Sequence, residues 1–180
     1  MSSANKNLSE YDASQLPDGS AMRFGIVTSK WNTEITGALR TACLQTLQSA
    51  NVNSKNIVEM EVPGSFELTT GASWLLQSGE VDCVICLGCV IQGETRHFDF
   101  ICNAISNGLT KLSINYGKAV IFGVLTPNNM QQAQDRAGGK HGNKGVEAAT
   151  TALQMVQLYN TEIQRRRDNF QNYLDHGKNM

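Results

Sequence analysis

Residues 87–100, LGCVIQGETRHFDF, carry an apolar strand directly into a glycine turn and then into the start of a helix. Thr95 is a residue type that caps helices, which leaves the first backbone N–H groups pointing outward with the positive end of the helix dipole behind them. Such a helix start binds phosphate groups. His97 follows within one turn, and imidazole is the side chain that exchanges protons near neutral pH. The segment therefore predicts acid–base chemistry on a phosphorylated small molecule.

Strand and helix patterns alternate four times along the chain. Apolar runs predict strands at residues 23–28, 56–62, 81–91 and 118–125. Helical spacing of apolar residues predicts helices that begin near Asn32, after Ser65, at Arg96, at about Asn129 (ending near Ala137) and at about Lys144. Asn32 or Thr33 is the predicted cap of the first helix, and Ser65 that of the second. This alternation is typical of an α/β fold in which a four-stranded parallel sheet has helices on both faces.

The most unusual residues follow the predicted strands. Residues 30–32, 63–67, 93–97 and 126–128 come after the first, second, third and fourth strand. In open parallel sheets the ligand lies outside the carboxyl ends of the strands. We therefore expect all four loops to meet at one rim.

Length, composition and charge favour a globular protein that acts on a small molecule. With 180 residues, one domain buries about 70% of its unfolded surface, so it needs no disulfide or structural metal. The net charge is −1, which argues against a surface for nucleic acid or membranes. The first residues lack the apolar core of a signal peptide, and no apolar run could span a bilayer, so we expect a cytoplasmic protein.

Three regions differ in character. Residues 1–21 are polar and contain a Pro-Asp-Gly turn at 17–19, which predicts an N-terminal arm. Residues 22–162 carry the strand and helix patterns and form the predicted α/β domain. Residues 163–180 form a C-terminal extension that includes a basic run at 165–167, most simply a solvated helix end.

Four motifs together resemble one family. They are VPGSFEL at 62–68, LGCVIQGETRHFD at 87–99, VIFGVLT at 120–126 and DRAGGKHGNKG at 135–145. In this order and spacing they resemble lumazine synthase, over residues 22 to 160. The resemblance implies a flavodoxin-like fold, a three-layer α/β sandwich.

The resemblance also implies a reaction. 5-Amino-6-(D-ribitylamino)uracil would condense with 3,4-dihydroxy-2-butanone 4-phosphate to give 6,7-dimethyl-8-ribityllumazine, phosphate and water, the penultimate step of riboflavin biosynthesis. It needs no organic cofactor and no metal. The family further implies a homo-oligomer, either a pentamer or a 60-subunit shell of twelve pentamers, with riboflavin synthase as a further candidate partner.

Each matched position has an implied role. His97 matches the proton shuttle. Residues that would bind the ribitylaminouracil are Trp31, Ser65, Phe66, Glu67, Cys89, Val90, Ile91 and Phe122; Glu94, Thr95 and Arg136 would bind the butanone phosphate. Phe122 and Arg136 resemble residues that the family donates across a subunit boundary, so that a monomer would be inactive.

Plainer interpretations exist for the same residues. Without the motif, His97 would face solvent at a helix start, Trp31 would be a packing residue and Arg136 a surface arginine. A non-catalytic flavin-binding module or a shell protein of the same fold is the competing function, although residues 28–32 are too bulky to wrap a phosphate. Cys83, Cys86 and Cys89 have the spacing of a metal site, but on a strand residues three apart point to opposite faces. The segment 138–145 lacks the ending of a phosphate loop and predicts a tight turn between helices.

Overall fold

A computed structural model of the protein describes residues 16–177, with side chains described for residues 16–170. The elements in chain order are β1 (Phe24–Ser29), α1 (Thr33–Ser49), β2 (Ile57–Val62), α2 (Leu68–Gln77), β3 (Cys83–Cys89), α3 (His97–Tyr116), β4 (Ala119–Leu125), α4 (Met130–Asp135), β5 (Ala137–Gly139), β6 (Gly142–Asn143) and α5 (Lys144–Gly177). A single 3₁₀ turn at Ser54–Asn56 precedes β2. The predicted arm, residues 1–21, lies outside the described residues except for its last six.

The side chains of the central strand β3 point alternately to the two faces of the sheet, and each face has its own hydrophobic core. Ile85 and Leu87 point into one core with α1 and α5, whereas Val84 points into the other with α2 and α3. All seven residues of β3 are buried, as expected for a strand that helices cover on both faces. The result is the predicted three-layer α/β sandwich.

The same alternation separates the cysteines of the apparent metal motif. Cys83 and Cys89 face the core with α1 and α5, and Cys86 faces the opposite core. A zinc ion would need its sulfur ligands within about 4.6 Å of each other, which this strand does not allow. Across residues 16–170 no three His, Cys, Asp or Glu side chains are grouped to hold a metal ion.

The sheet topology places a crevice at its centre. All four strands of the main sheet are parallel, in the order β2-β1-β3-β4. The chain moves outward from β1 to β2, then returns past β1 to β3 and β4. Connections therefore leave in opposite directions from β1 and β3, and such a switch point is where open α/β sheets bind ligands.

Strand bounds agree with the prediction at β1, β2 and β4 to within one residue. The third strand is shorter than predicted, because it ends at Cys89 and the next two residues line a cavity. Helix α4 is also shorter than predicted by one residue at its start and two at its end. Local sequence patterns rarely fix element ends more closely than this.

The glycine-rich segment is a small hairpin and not the predicted simple turn. Strands β5 and β6 pair antiparallel. Gly138 and Gly142 have φ values of 119° and 80°, a region that residues with a Cβ rarely adopt. The hairpin leads straight into α5.

Helix α5 is 34 residues long, about 51 Å. Its first half packs Ala149, Leu153 and Val156 into the core shared with α1, and beyond Val156 no described residue of the helix is buried. The helix continues through the predicted extension as far as Gly177. Within the described part of the chain, no helix is long and apolar enough to cross a membrane.

Candidate active site

A cavity of about 670 Å³ opens at the carboxyl ends of β1, β2 and β3. Its lining comes from three of the four predicted loops: Trp31, Asn32, Pro63, Gly64, Ser65, Phe66, Glu67, Cys89, Val90, Ile91, His97 and Ile101. The size suits a bicyclic ligand with a side chain. The fourth predicted loop reaches the same rim, where the Gln92 N–H donates to the Pro127 carbonyl (2.9 Å), but it does not line the cavity.

Two aromatic side chains stand at the cavity with their faces largely uncovered. Trp31 is 73% exposed and Phe66 is 54% exposed. Trp31 belongs to neither core of its own chain. An exposed indole beside a cavity of this size is suited to stacking on a flat heterocycle.

The residue after Trp31 organises the cavity floor. Asn32 stands at the start of α1 with φ of 59°, and its side chain does not cap the helix as predicted. Its amide instead donates to the Cys89 carbonyl over 3.1 Å. The local capping preference yields here to a contact across the end of the sheet.

The backbone from Cys89 to Ile91 presents a limited hydrogen-bonding edge. The Cys89 carbonyl accepts from Asn32, and the Val90 N–H donates to the Leu125 carbonyl at 2.9 Å. The Val90 carbonyl and the Ile91 N–H have no partner within residues 16–177. One acceptor and one donor therefore remain for the edge of a ring.

The loop between β2 and α2 supplies polar groups. Glu67 Oε2 accepts the Gly64 N–H at 3.0 Å, which holds the carboxylate over the turn. Ser65 is buried and is not the predicted cap of α2, which begins at Leu68. Its hydroxyl pairs with that of Ser29 at 3.3 Å. Thr33 also fails as a cap, since its hydroxyl donates to the Lys30 carbonyl.

His97 opens α3 at the rim of the cavity and is solvent-exposed. Its backbone N–H donates to Thr95 Oγ1 at 3.4 Å, but the residue at the N-cap position is Arg96 and not Thr95 as predicted. Glu94 and Thr95 are exposed next to this helix start and do not line the cavity. The first turn of α3 thus faces solvent next to an imidazole.

Phe122 and Arg136 lie away from this cavity in their own chain. Phe122 lines a smaller cavity beside edge strand β4, together with Lys144 and Glu147. Arg136 donates to the His141 carbonyl at 2.6 Å and forms an ion pair with Glu147. The second oxygen of Glu147 accepts from Lys144 at 3.0 Å. One carboxylate therefore holds two cations next to Phe122.

This chain is similar in sequence to proteins of one known family. The model of the 6,7-dimethyl-8-ribityllumazine synthase family matches residues 21–160. A 6,7-dimethyl-8-ribityllumazine synthase of Cytophaga hutchinsonii is 57% identical over 87% of this chain and 98% of its own length. Proteins with the same name from Parabacteroides distasonis and Flavobacterium johnsoniae are 51% and 50% identical, over 88% of this chain and 99% and 83% of their own lengths. The chain belongs to the lumazine synthase family.

Membership makes the chain an enzyme of riboflavin biosynthesis, in the transferase class. It also agrees with the flavodoxin-like topology, since the match covers the whole sheet and its helices except the end of α5. The family match ends at residue 160, whereas α5 runs on to Gly177.

The partners of three predicted site residues were missed from the sequence. Asn32 fixes the Cys89 carbonyl, Glu147 holds Arg136, and Ser29 contacts Ser65. Asn32 had a usable signal, because asparagine tolerates positive φ directly after a strand. The other two had none, since their contacts span 36 and 11 positions in the chain.

Proposed function

We propose that this enzyme condenses 5-amino-6-(D-ribitylamino)uracil with 3,4-dihydroxy-2-butanone 4-phosphate. The products are 6,7-dimethyl-8-ribityllumazine, phosphate and two molecules of water. The observation that carries the proposal is the combination of an exposed indole, a free donor–acceptor pair on the backbone and an imidazole around one cavity.

The pyrimidine would stack on Trp31 with its polar edge on the backbone. A uracil edge carries an N–H and a C=O, which match the free Val90 carbonyl and Ile91 N–H. The ribityl chain would run past Ser65, Phe66 and Glu67, where the carboxylate accepts from its hydroxyl groups. The Cys89 side chain takes no part, because it points into the core.

The phosphorylated substrate would bind with its anion at the start of α3, next to Glu94 and Thr95. Backbone N–H groups and the helix dipole favour an anion there. His97 would remove a proton from the carbon chain as phosphate leaves and return it as water leaves during ring closure. Holding both substrates together supplies much of the remaining acceleration.

Phe122 and Arg136 would reach this site from a neighbouring copy. In their own chain they line or border a different cavity, at an exposed sheet edge. We propose a homo-oligomer in which each site lies between two copies, a pentamer or a 60-subunit shell of twelve pentamers. Sedimentation velocity separates the two masses. Riboflavin synthase as a partner and a cytoplasmic location stay predictions.

The first test is the reaction itself. The protein is mixed with both substrates while lumazine absorbance and phosphate release are followed. Product above the spontaneous rate, with the two signals in equal amounts, supports the proposal; product at the spontaneous rate refutes it. His97→Ala should lower kcat by about 10²- to 10⁴-fold, since proton transfer by a positioned group contributes that much.

The second test asks whether a site is shared. His97→Ala and Arg136→Ala subunits, each expected to be strongly impaired on its own, are co-expressed in equal amounts. If one copy supplies His97 and the next supplies Arg136, about one quarter of the sites in mixed rings have both side chains. Activity near a quarter of the wild type is the expected result. If the mixed assemblies have no activity, His97 and Arg136 of the same chain act in the same site, and the shared site is refuted.

A further inference from the structure

A pair of buried hydroxyl groups lies beneath the cavity floor. Ser29 Oγ, at the end of β1, and Ser65 Oγ are 3.3 Å apart, and either could donate. Ser29 is 1% exposed and does not line the cavity, whereas Ser65 is 7% exposed and does. Neither hydroxyl makes a second hydrogen bond within the described residues.

Counting protons decides the direction of this bond. Two hydroxyl groups have two protons, and the single bond between them uses one. If Ser65 donated, the Ser29 proton would be buried without an acceptor, and the desolvation of an unpaired donor costs more than one hydrogen bond contributes. If Ser29 donates, the remaining proton belongs to Ser65, which borders the cavity and can reach a ligand.

We infer that Ser29 is a positioning residue that donates to Ser65 and so presents the Ser65 hydroxyl as a hydrogen-bond donor to a polyhydroxylated ligand chain. The inference rests on the proposed function, in which that chain is the ribityl group. Ser29 itself touches no substrate.

Gly88 on β3 leaves the space that the pair needs. A Cβ at Gly88 would stand 2.7 Å from Ser65 Oγ and 3.4 Å from Ser29 Oγ. A side chain at this position would push the hydroxyl of Ser65 out of place. The pair therefore depends on three neighbouring segments: the ends of β1 and β3 and the loop before α2.

The ligand class follows from what lies beside the pair. Glu67, two residues after Ser65, carries an acceptor that the Gly64 N–H holds in place. A donor and an acceptor at neighbouring points of a wall match a chain of hydroxyl groups, because each hydroxyl both donates and accepts. An alkyl chain would leave both protein groups unpaired.

The experiment is a double-mutant cycle on ligand binding by the assembled enzyme. Isothermal titration calorimetry compares 5-amino-6-(D-ribitylamino)uracil with 5-amino-6-(pentylamino)uracil, which has the same chain without hydroxyl groups. The variants are Ser65→Ala, Ser29→Ala and the double variant. Ser78→Ala, which removes a hydroxyl at the other end of α2, is the matched control.

We expect Ser65→Ala to weaken ribityl binding about 5- to 10-fold and Ser29→Ala about 3- to 5-fold. In the Ser65→Ala background, Ser29→Ala should change binding by less than about 1.5-fold, because its effect passes through Ser65. Binding of the pentyl compound should stay within about twofold throughout. Ser29→Cys, which keeps the branch at this position with a slightly larger, weak donor, should resemble Ser29→Ala and replaces it if that variant folds poorly.

Two results overturn the inference. One is an additive cycle, in which Ser29 acts without Ser65; the other is equal loss of both ligands, which marks a purely structural role. If the wild-type enzyme prefers the ribityl compound and the variants give either of these results, only the role of Ser29 is refuted. If the wild-type enzyme binds neither compound, both the proposed function and this inference are refuted.

Discussion

The contact between α1 and α5 leaves no room for a side chain at Gly145. A Cβ there would stand 1.9 Å from the Leu39 carbonyl oxygen and 2.7 Å from its carbonyl carbon. Carbon and oxygen atoms normally approach no closer than about 3.3 Å, so Gly145→Ala requires the two helices to separate by about 1.4 Å. The obstacle is backbone, which no change of rotamer removes.

The loss of stability in Gly145→Ala can be estimated from the packing that a separation of the two helices would disturb. Helix α5 packs Ala149, Leu153 and Val156 against α1 and the sheet, and interiors packed this densely do not absorb such a shift. Overpacking a core costs about 1–3 kcal/mol when side chains can adjust. With backbone on one side, we expect Gly145→Ala to lower the free energy of unfolding by about 3–5 kcal/mol. The corresponding fall in Tm is about 6–20 °C.

Gly37→Ala is the matched control, with the opposite expected sign. Gly37 lies inside α1, and a Cβ there would meet nothing within 4 Å. Alanine in a helix interior is more stable than glycine by about 0.5–1 kcal/mol. Both variants are compared with the wild type by urea and thermal unfolding at one protein concentration, since Tm of an oligomer depends on it. A Gly145→Ala protein within about 1 kcal/mol of the wild type would refute the reasoning.

Three further predictions concern charge, thiols and the helix extension. Glu147→Gln removes the charge that holds Arg136 and Lys144, and should raise the KM of the butanone phosphate about tenfold; steady-state kinetics in which only the pyrimidine KM rises would contradict this. Burial raises the pKa of the Cys43 thiol to about 12, so iodoacetamide at pH 8 should spare it in the native enzyme and label it after unfolding; mass spectrometry of the peptides checks this, and native labelling as fast as at half-buried Cys102 would count against it. Deletion of residues 163–180 should change the free energy of unfolding by less than about 0.5 kcal/mol, because the extension buries no described side chain in either core; a loss of several kcal/mol in urea unfolding would show that it packs against something.

The layers of the fold could be predicted because each pattern repeats along its element. The apolar run of β3 requires cover on both faces, and the period of α1 and α5 requires one buried stripe each. Parallel strands then bring their carboxyl ends to one edge, which is why the loops meet there, three of them around one cavity. These inferences need no knowledge of which particular atoms touch.

The helix caps and the hydrogen-bond partners of side chains could not be predicted in this way, because they depend on which atoms touch in the folded chain. Asn32, Ser65 and Thr33 are good capping residues by type, but each finds its partner outside the helix that follows it. A short polar side chain chooses between a local backbone group and a distant one of similar strength, so tertiary contacts decide the outcome. The same holds for Glu147, whose pairing with Arg136 depends on the β5–β6 hairpin that separates them.

The placement of Phe122 and Arg136 restricts the symmetry of any assembly with shared sites. The cavity with His97 and the cavity with Phe122 are different patches of one chain. A two-fold contact could bring Phe122 to the partner's His97 cavity only if one interface contained both patches, and it would then form two equivalent sites. Joining one patch to the other patch on the next copy is a head-to-tail contact, which closes into a ring or continues as a filament. If sites are shared, the enzyme should therefore be either a ring, or a shell built of rings, with one site at each contact, or a dimer with two sites at one contact; a monomer that retains full activity would contradict the shared site even if both residues proved essential.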